Sequence, residues 1–250
     1  IECQMAETIL LCHVNFQTLV ATKAARIWEA SNRGSVIEFG LRRAQGPDGA
    51  LSACRAAFIG GADGTSNVLG AALLRMPAKG THAHSWIQAF GSELDAFRAY
   101  ARSFPDESIL LVDTYDTLKS GVPNAIRVAK ELEPQGHRLA GIRIDSGDLA
   151  FLSMQARRML DEADVPYVKI VASNELDEYI ISEIIVQGGQ VDVWGVGTNL
   201  VTGSGPGGGA LGGVYKMVEH NGTPKIKLSA NPEKMTNPGY KKVVRFYGAD

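Results

Sequence analysis

One repeated pattern restricts the possible folds most strongly. From Ile109 onward, short apolar runs rich in β-branched residues each end in polar residues and are followed by an amphipathic stretch. The runs lie at 109–112, 141–145, 167–171 and 191–194. They recur at about 30 residues or slightly less, the length of a strand–helix–strand step. The pattern predicts an α/β fold with parallel strands, and an α/β barrel is usual for a chain of this length.

Outside these runs, the sequence predicts a different set of elements. A helical stripe from Glu7 to about Ala30 predicts a long core-facing helix, and strands are predicted at 36–40 and 76–80. Residues 203–213 are Gly-rich, and 214–218, 226–228 and 243–247 resemble strands, with a hairpin signal at Asn221-Gly222. We therefore expect a barrel domain over 1–202, a Gly-rich connection over 203–213 and part of a β-rich domain over 214–250.

Charge and cysteine content exclude several classes of protein. With 25 basic and 27 acidic residues, nothing indicates a nucleic-acid or membrane partner. No signal peptide and no apolar run of bilayer length is visible, so we expect a cytoplasmic protein. Cys3, Cys12 and Cys54 show no metal-ligand spacing and are expected to be free thiols.

Polar residues collect where the predicted strands end. Parallel strands place such residues at one edge, where ligands bind in α/β folds. Arginines, hydroxyls and glycine amides suit phosphate or carboxylate ligands, which predicts a substrate carrying phosphate. The residues concerned are Arg42, Arg43, Thr81, His82, His84, Asp113, Asp116, Arg143, Asp145, Ser173, Gly197 and Thr198.

Asp113 and Asp145 follow consecutive strands, which leaves two interpretations open. Two neighbouring carboxylates with a phosphate ligand would suit Mg²⁺. Alternatively, one of them accepts a hydrogen bond from a histidine and leaves the other ring nitrogen as a nucleophile or base, with His84 and Asp113 as the candidate pair. Asp148 is expected simply to cap the following helix, and an isolated histidine is often only structural.

Six segments resemble, in order and spacing, the nicotinate phosphoribosyltransferase family. They are 38–43 (EFGLRR), 80–85 (GTHAHS), 113–117 (DTYDT), 143–149 (RIDSGDL), 195–199 (GVGTN) and 211–216 (LGGVYK). The resemblance implies an irregular TIM-like α/β barrel with a second β-rich domain, assembled as a homodimer whose active site lies at the subunit interface. It also implies that this chain lacks the family's N-terminal and C-terminal segments.

The resemblance implies an activity in NAD salvage. The family joins nicotinate to phosphoribosyl pyrophosphate with Mg²⁺ and couples the reaction to ATP hydrolysis through a phosphohistidine. His84 matches that histidine and His82 does not. Asp113 would stabilise the cation that develops on His84, and Asp145 would contact the ribose or, with Asp113, the metal ion.

The remaining roles are carried over in the same way. Phe39 should stack on the pyridine ring, while Thr81 and Arg143 hold the nicotinate carboxylate. The phosphoribosyl group should meet Arg42, Ser173, Gly195, Gly197, Thr198 and Lys216. Lys234 and Lys242 resemble pyrophosphate-binding residues, although a solvated basic face explains each equally well.

The choice of base rests on Ser66. Nicotinamide-using relatives carry an Asp at the matching position, which would accept from an amide and repel a carboxylate. Ser66 therefore favours nicotinate, although Asp63 lies close by in the sequence. The alternatives are a nicotinamide phosphoribosyltransferase and a non-catalytic fragment of such an enzyme; a generic phosphosugar enzyme is less favoured.

Overall fold

The computed structural model describes residues 2–205 and 209–248. The chain divides into two compact units, Phe16–Leu211 and Ile1–Asn15 with Gly212–Asp250. Part of the predicted Gly-rich connection, 206–208, lies outside the described residues, as does the side chain of Cys3.

A parallel sheet forms the centre of the larger unit. Its strands are β1 (Ser35–Glu38), β2 (Gly64–Thr65), β3 (Ile109–Leu111), β4 (Gly141–Ile144), β5 (Lys169–Ala172) and β6 (Val193–Val196). They are ordered β2-β1-β6-β5-β4-β3, and every pairing is parallel. The sheet is curled into a half-barrel, which confirms the predicted barrel-type α/β fold. All carboxyl ends of the strands consequently lie at one edge.

Helices follow most of the strands. They are α1 (Glu2–Ala30), α2 (Gly46–Ile59), α3 (Val68–Leu74), α4 (His84–Gln88), α5 (Glu93–Ser103), α6 (Val122–Leu132), α7 (Leu149–Glu162), α8 (Glu178–Val186) and α9 (Thr198–Val201). Asp148 caps α7 by accepting from Phe151 N at 3.0 Å, which confirms the predicted cap. No described helix is long and apolar enough to cross a membrane.

Two short segments before Ile109 differ from the prediction. Gly64–Thr65, expected to be part of a polar loop, forms strand β2 beside β1. Residues 76–80, expected to be a strand, contribute only one bridge, from Ala78 to Thr65. Both differences arise because pairing with a neighbouring strand, rather than local composition, determines such short strands.

The core of the larger unit is built from the apolar faces of these elements. Its largest buried side chains include Phe97, Ile142 and Ile170. The chain enters α6 through a π-helical turn, Thr117–Gly121, that packs directly over the end of β3. A β-carbon at Gly121 would lie only 1.8 Å from Val112 O, so this approach requires glycine.

The smaller unit contains a two-stranded hairpin. Strands β7 (Glu219–His220) and β8 (Thr223–Pro224) pair around Asn221-Gly222, where both residues have positive φ. The hairpin signal is thereby confirmed. The strands expected at 214–218, 226–228 and 243–247 do not form within the described residues, and Val243 and Tyr247 are almost fully exposed.

The two cysteines with described side chains are free. Cys12 is exposed and Cys54 is buried, as expected for thiols without a disulfide partner. Burial raises the pKa of Cys54 to about 11, so its thiol stays protonated at neutral pH.

Candidate active site

Arg143 lies at the centre of the polar residues at the carboxyl edge of the sheet. It projects from β4, and its guanidinium donates to Ser173 Oγ (2.7 Å), Thr81 Oγ1 (2.8 Å) and Asp145 Oδ1 (2.8 Å). Three separate segments of the chain thus meet at one side chain. A guanidinium has five N–H donors, so these three contacts leave two for a ligand.

Two carboxylates lie beside Arg143. Asp145 Oδ1 also accepts from Ser173 Oγ at 2.5 Å, and Asp113 Oδ2 accepts from Asp145 N (2.9 Å) and Ser146 Oγ (2.6 Å). The second oxygen of Asp113 is buried and accepts no hydrogen bond from any described residue. Such an orphaned oxygen is costly unless a ligand or ion satisfies it.

His84 faces these carboxylates. Its Nε2 lies 3.9 Å from Asp113 Oδ1 and 3.7 Å from Asp145 Oδ2, and its side chain is 41% exposed. The expected hydrogen bond between His84 and Asp113 is absent at these distances. Instead, Nδ1 is hydrogen-bonded to Thr114 Oγ1 at 3.0 Å, while Asp113 uses its other oxygen for the β4 end. The structure therefore brings His84 and Asp113 close together, but no hydrogen bond joins them.

His82 occupies a different environment two residues earlier. Leu111 N donates to its Nε2 at 3.2 Å, and Nδ1 donates to Ala83 O at 3.3 Å. The ring packs edge-on against Tyr100. Burial lowers the pKa of His82 to about 4. His82 is therefore a neutral structural histidine, and the role of His84 stays a prediction.

Phe39 forms the apolar side of the site. It follows β1, and the guanidinium of Arg143 lies 5.2 Å from the centre of its ring. Gly195 on β6 lies against the same ring, since a β-carbon there would come within 2.6 Å of Phe39 Cε2. The structure thus places Gly195 beside Phe39, and its predicted contact with phosphate stays a prediction.

Ser66 and Asp63 lie at opposite ends of the β1–β2 pair. Ser66 N donates to Glu38 O at 2.9 Å, at the carboxyl ends of the strands. Asp63 Oδ2 instead accepts from Val36 N at 3.3 Å, near the start of β1. The carboxylate of Asp63 is therefore occupied away from the site edge.

The predicted phosphate-binding residues adjoin the β5 and β6 ends. Thr198 begins α9 directly after Gly197, and Ser173 is buried at the end of β5. Asn199 Nδ2 donates to the carbonyls of Glu175 and Leu176, both at 3.1 Å, and so ties the β5–α8 loop to the start of α9. A cavity of about 220 Å³ opens beside this loop, between α7 and α8.

The basic residues divide between the two units. Arg42 is exposed in a short 3₁₀ turn after β1. Lys216, Lys234 and Lys242 belong to the smaller unit, where Lys216 pairs with Glu7 at 3.3 Å. Asp116 caps the π-helical turn by accepting from Lys119 N, which lowers its pKa. Its place at the strand end is explained by this cap.

Three contacts of the site were not expected from the sequence. They are the hydrogen bond from Thr65 to the buried Glu38, the hydrogen bond between Thr114 and His84, and the hydrogen bond from Asn199 to the β5–α8 loop. A signal existed only for Glu38, as an acidic residue inside an apolar strand run. Within the described residues, no group of three or more His, Cys, Asp or Glu side chains could hold a metal ion.

Comparison with known proteins identifies the family. Residues 35–246 match the model of the nicotinate phosphoribosyltransferase (NAPRTase) family. Nicotinate phosphoribosyltransferase of Bacillus subtilis (strain 168) is 52% identical over 98% of this chain and 50% of its own length. This chain therefore belongs to the nicotinate phosphoribosyltransferase family.

Solved structures agree with this assignment. The crystal structure of nicotinate-nucleotide pyrophosphorylase from Pyrococcus furiosus matches with a TM-score of 0.74 and 31% identity, over 88% of this chain and 54% of that one. Human nicotinic acid phosphoribosyltransferase matches with a TM-score of 0.73 and 34% identity, over 87% and 52%. The chain spans about half the length of the curated relatives that it matches.

Proposed function

We propose that this protein transfers the phosphoribosyl group from phosphoribosyl pyrophosphate to nicotinate, giving nicotinate mononucleotide and pyrophosphate for NAD salvage. Its family membership and the names of its relatives support the proposal. The observation that carries it is Arg143, which lies over Phe39 and beside Thr81 with two N–H donors unused by its contacts. A flat ring bearing a carboxylate suits this combination.

In this proposal the base is nicotinate rather than nicotinamide, because neither Ser66 nor Asp63 brings a negative charge to the carboxyl ends of β1 and β2. Ser66 brings no negative charge to the carboxyl end of β2. The carboxylate of Asp63 accepts a hydrogen bond from Val36 N at the other end of β1. A nicotinate carboxylate would therefore meet Arg143 and Thr81 without repulsion from Ser66 or Asp63.

The phosphoribosyl group lies along the ends of β5 and β6 in this proposal. Thr198 and the amide of Gly197 would hold its phosphate, with Ser173 and Arg42 nearby. The displacement at the anomeric carbon forms an oxocarbenium-like centre. The protein mainly orients the ring nitrogen toward that carbon and stabilises the departing pyrophosphate.

His84 is the residue proposed to couple the reaction to ATP. Its ring nitrogen would attack the γ-phosphorus of ATP, and the bond from that phosphorus to ADP would break. Half exposure makes the ring accessible, and Asp113 and Asp145, both within 4 Å of Nε2, would stabilise the positive charge that develops on the imidazole.

Asp113 and Asp145 fit Mg²⁺. The orphaned buried Oδ1 of Asp113 is a suitable ligand, and Asp145 Oδ2 lies on the same side of His84. A site with only two carboxylates suits Mg²⁺, which keeps several waters and binds substrate phosphates. When bound, the ion would neutralise charge on the pyrophosphate.

The remaining expectations stay predictions. They are a homodimer with the active site at the subunit interface, pyrophosphate binding by Lys234 and Lys242, phosphate binding by Lys216, a cytoplasmic location, and the domain limits of 1–202, 203–213 and 214–250.

Product analysis with the purified chain tests the proposal. The protein is incubated with phosphoribosyl pyrophosphate and Mg²⁺, with nicotinate or nicotinamide, and with or without ATP, and products are separated by chromatography. We expect nicotinate mononucleotide, in larger amount with ATP. A nicotinamide product alone would contradict the choice of base.

Two further measurements complete the test. We expect an acid-labile phosphate on the wild type and on His137→Asn, a control at a histidine of similar exposure, and none on His84→Asn. Calorimetric titration of nicotinate separates an inactive fragment, which would bind without turnover, from a mistaken assignment of the site, which would not bind.

A further inference from the structure

The carboxylate of Glu38 is buried next to the site residue Phe39. Glu38 ends β1 and is 1% exposed. Its Oε1 accepts from Gly40 N, and its Oε2 accepts from Thr65 Oγ1 (2.5 Å) and Cys54 Sγ (3.4 Å). These three donors come from a turn, a strand and a helix, so one carboxylate joins three elements.

The main chain of Glu38 makes a further link. Its carbonyl accepts from Ser66 N at 2.9 Å, while Phe39 N donates to Val196 O at 2.8 Å. Glu38 therefore links the segments on both sides of the proposed pyridine site, which are Phe39 and Gly40 after β1 and Ser66 after β2. Thr65 Oγ1 in turn accepts from Asn67 N at 3.0 Å, which extends the link to the start of α3.

Charge pairing does not explain this buried carboxylate. No lysine, arginine or histidine among residues 2–205 and 209–248 forms an ion pair with it. A carboxylate without a cation is costly to bury unless hydrogen-bond donors satisfy it. Loss of a single donor should therefore disturb the positions of the groups that this carboxylate holds.

We propose that Glu38, Thr65 and Cys54, here called the Glu38 cluster, position Phe39 and Ser66 and thereby determine how well the site holds the pyridine ring of the substrate. The proposal rests on the proposed function. The three residues do not touch the base; they act through the two residues that do. Cys54 contributes as a protonated donor rather than as a reactive thiol, because burial keeps its pKa high.

A matched pair of variants tests the cluster. Thr65→Val keeps the shape of the buried side chain and removes the donor, whereas Thr65→Ser keeps the donor. We expect Thr65→Val to raise the KM for nicotinate about fivefold to tenfold, with the KM for phosphoribosyl pyrophosphate and kcat nearly unchanged. Thr65→Ser should restore the wild-type KM to within about twofold. Glu38→Gln should resemble Thr65→Val, because its amide would face donors.

A second variant separates positioning from stability. Ser153 is also buried, and its hydroxyl accepts from Gln190 N at 3.0 Å, before the start of β6 and away from the strand ends. Ser153→Ala should lower the melting temperature without changing the KM for nicotinate. If Thr65→Val also lowers only the melting temperature, the cluster is merely structural and the proposal is wrong.

Amide hydrogen exchange keeps the test independent of activity. If the wild type neither turns over nor binds nicotinate, the proposed function fails, and exchange at Gly40 and Ser66 then decides about the cluster. Faster exchange at both amides in Thr65→Val than in Thr65→Ser supports positioning by the cluster. Equal exchange rates in the two variants overturn it.

Discussion

The two ends of the site differ in how completely their carboxylates are satisfied. At the β3–β4 end, Asp113 leaves one buried oxygen without a hydrogen bond, and His84 is partly exposed beside it. At the β1–β2 end, Glu38 is fully buried and both of its oxygens accept hydrogen bonds.

This difference separates two kinds of contribution. Unsatisfied and accessible groups are available to bind an ion or to react, whereas satisfied and buried groups hold geometry. The β3–β4 end should therefore control kcat and dependence on ATP, and the β1–β2 end should control affinity for the base. Arg143 links the two ends, since it bonds to Asp145 and lies over Phe39.

Replacing Arg143 should have the largest effect, because it removes the link. Arg143→Met loses the cation over Phe39 and the donors for a carboxylate, and it leaves Asp145 without its ion pair. We expect the affinity for nicotinate, measured by calorimetric titration, to fall at least 100-fold, or about 3 kcal/mol.

Arg98→Met is the control for this variant. Arg98 pairs with Glu131 on the surface and should not affect nicotinate binding. Wild-type affinity in Arg143→Met would mean that Arg143 does not bind the nicotinate carboxylate.

A second experiment sharpens the contrast between the two neighbouring histidines. Because burial lowers the pKa of His82 from 6.5 to about 4, the folded protein resists a proton that the unfolded chain accepts. The contribution of His82 to the free energy of unfolding should therefore be fully present above pH 6.5. It should decrease by about 3 kcal/mol as the pH falls toward 4.

His82→Gln removes this titration and retains a side chain that can accept from Leu111 N. Urea unfolding between pH 7 and pH 4 should show a weaker pH dependence for His82→Gln than for the wild type. His220→Gln, at an exposed site in β7, should keep the wild-type dependence. Identical curves for all three proteins would mean that the folded protein accepts a proton on His82 as readily as the unfolded chain does.

The smallest effect is expected at the β1–β2 end. Ser66→Asp would place a negative charge near the nicotinate carboxylate, so the ratio of kcat/KM for nicotinate to that for nicotinamide should fall at least about tenfold. Asp63→Asn should leave this ratio unchanged, because Asp63 binds Val36 N at the other end of the strand. A changed ratio in Asp63→Asn would place that carboxylate in the site.

Local patterns were sufficient for much of the fold. The recurring apolar runs predicted β3 to β6, and short-range chemistry predicted the Asp148 cap and the Asn221-Gly222 hairpin. Strands that depend on a partner were less predictable. Gly64–Thr65 has little strand character of its own but pairs with β1, whereas 243–247 has strong strand character and no described partner.

The site was predictable in its members but not in its contacts. Arg143, Asp145 and Ser173 could be expected together because parallel strands end at one edge. Thr114 on His84 depends on the path of the chain after β3, which no periodicity indicates. The partners of Glu38 come from 16 and 27 residues further along the chain, so only the folded structure shows that its charge is satisfied.

Gly195 has a consequence for how the specificity of this fold could be redesigned. The Phe39 ring lies directly against the backbone of Gly195. A β-carbon at this position would be only 2.6 Å from Phe39 Cε2, so there is no room for a methyl group. The position of the Phe39 ring therefore depends on the absence of a side chain at Gly195. A larger residue at this position of β6 would displace the ring before it contacted a ligand. Substrate specificity therefore cannot be changed by introducing a larger residue at position 195. Redesign has to use the residues at the ends of the neighbouring strands.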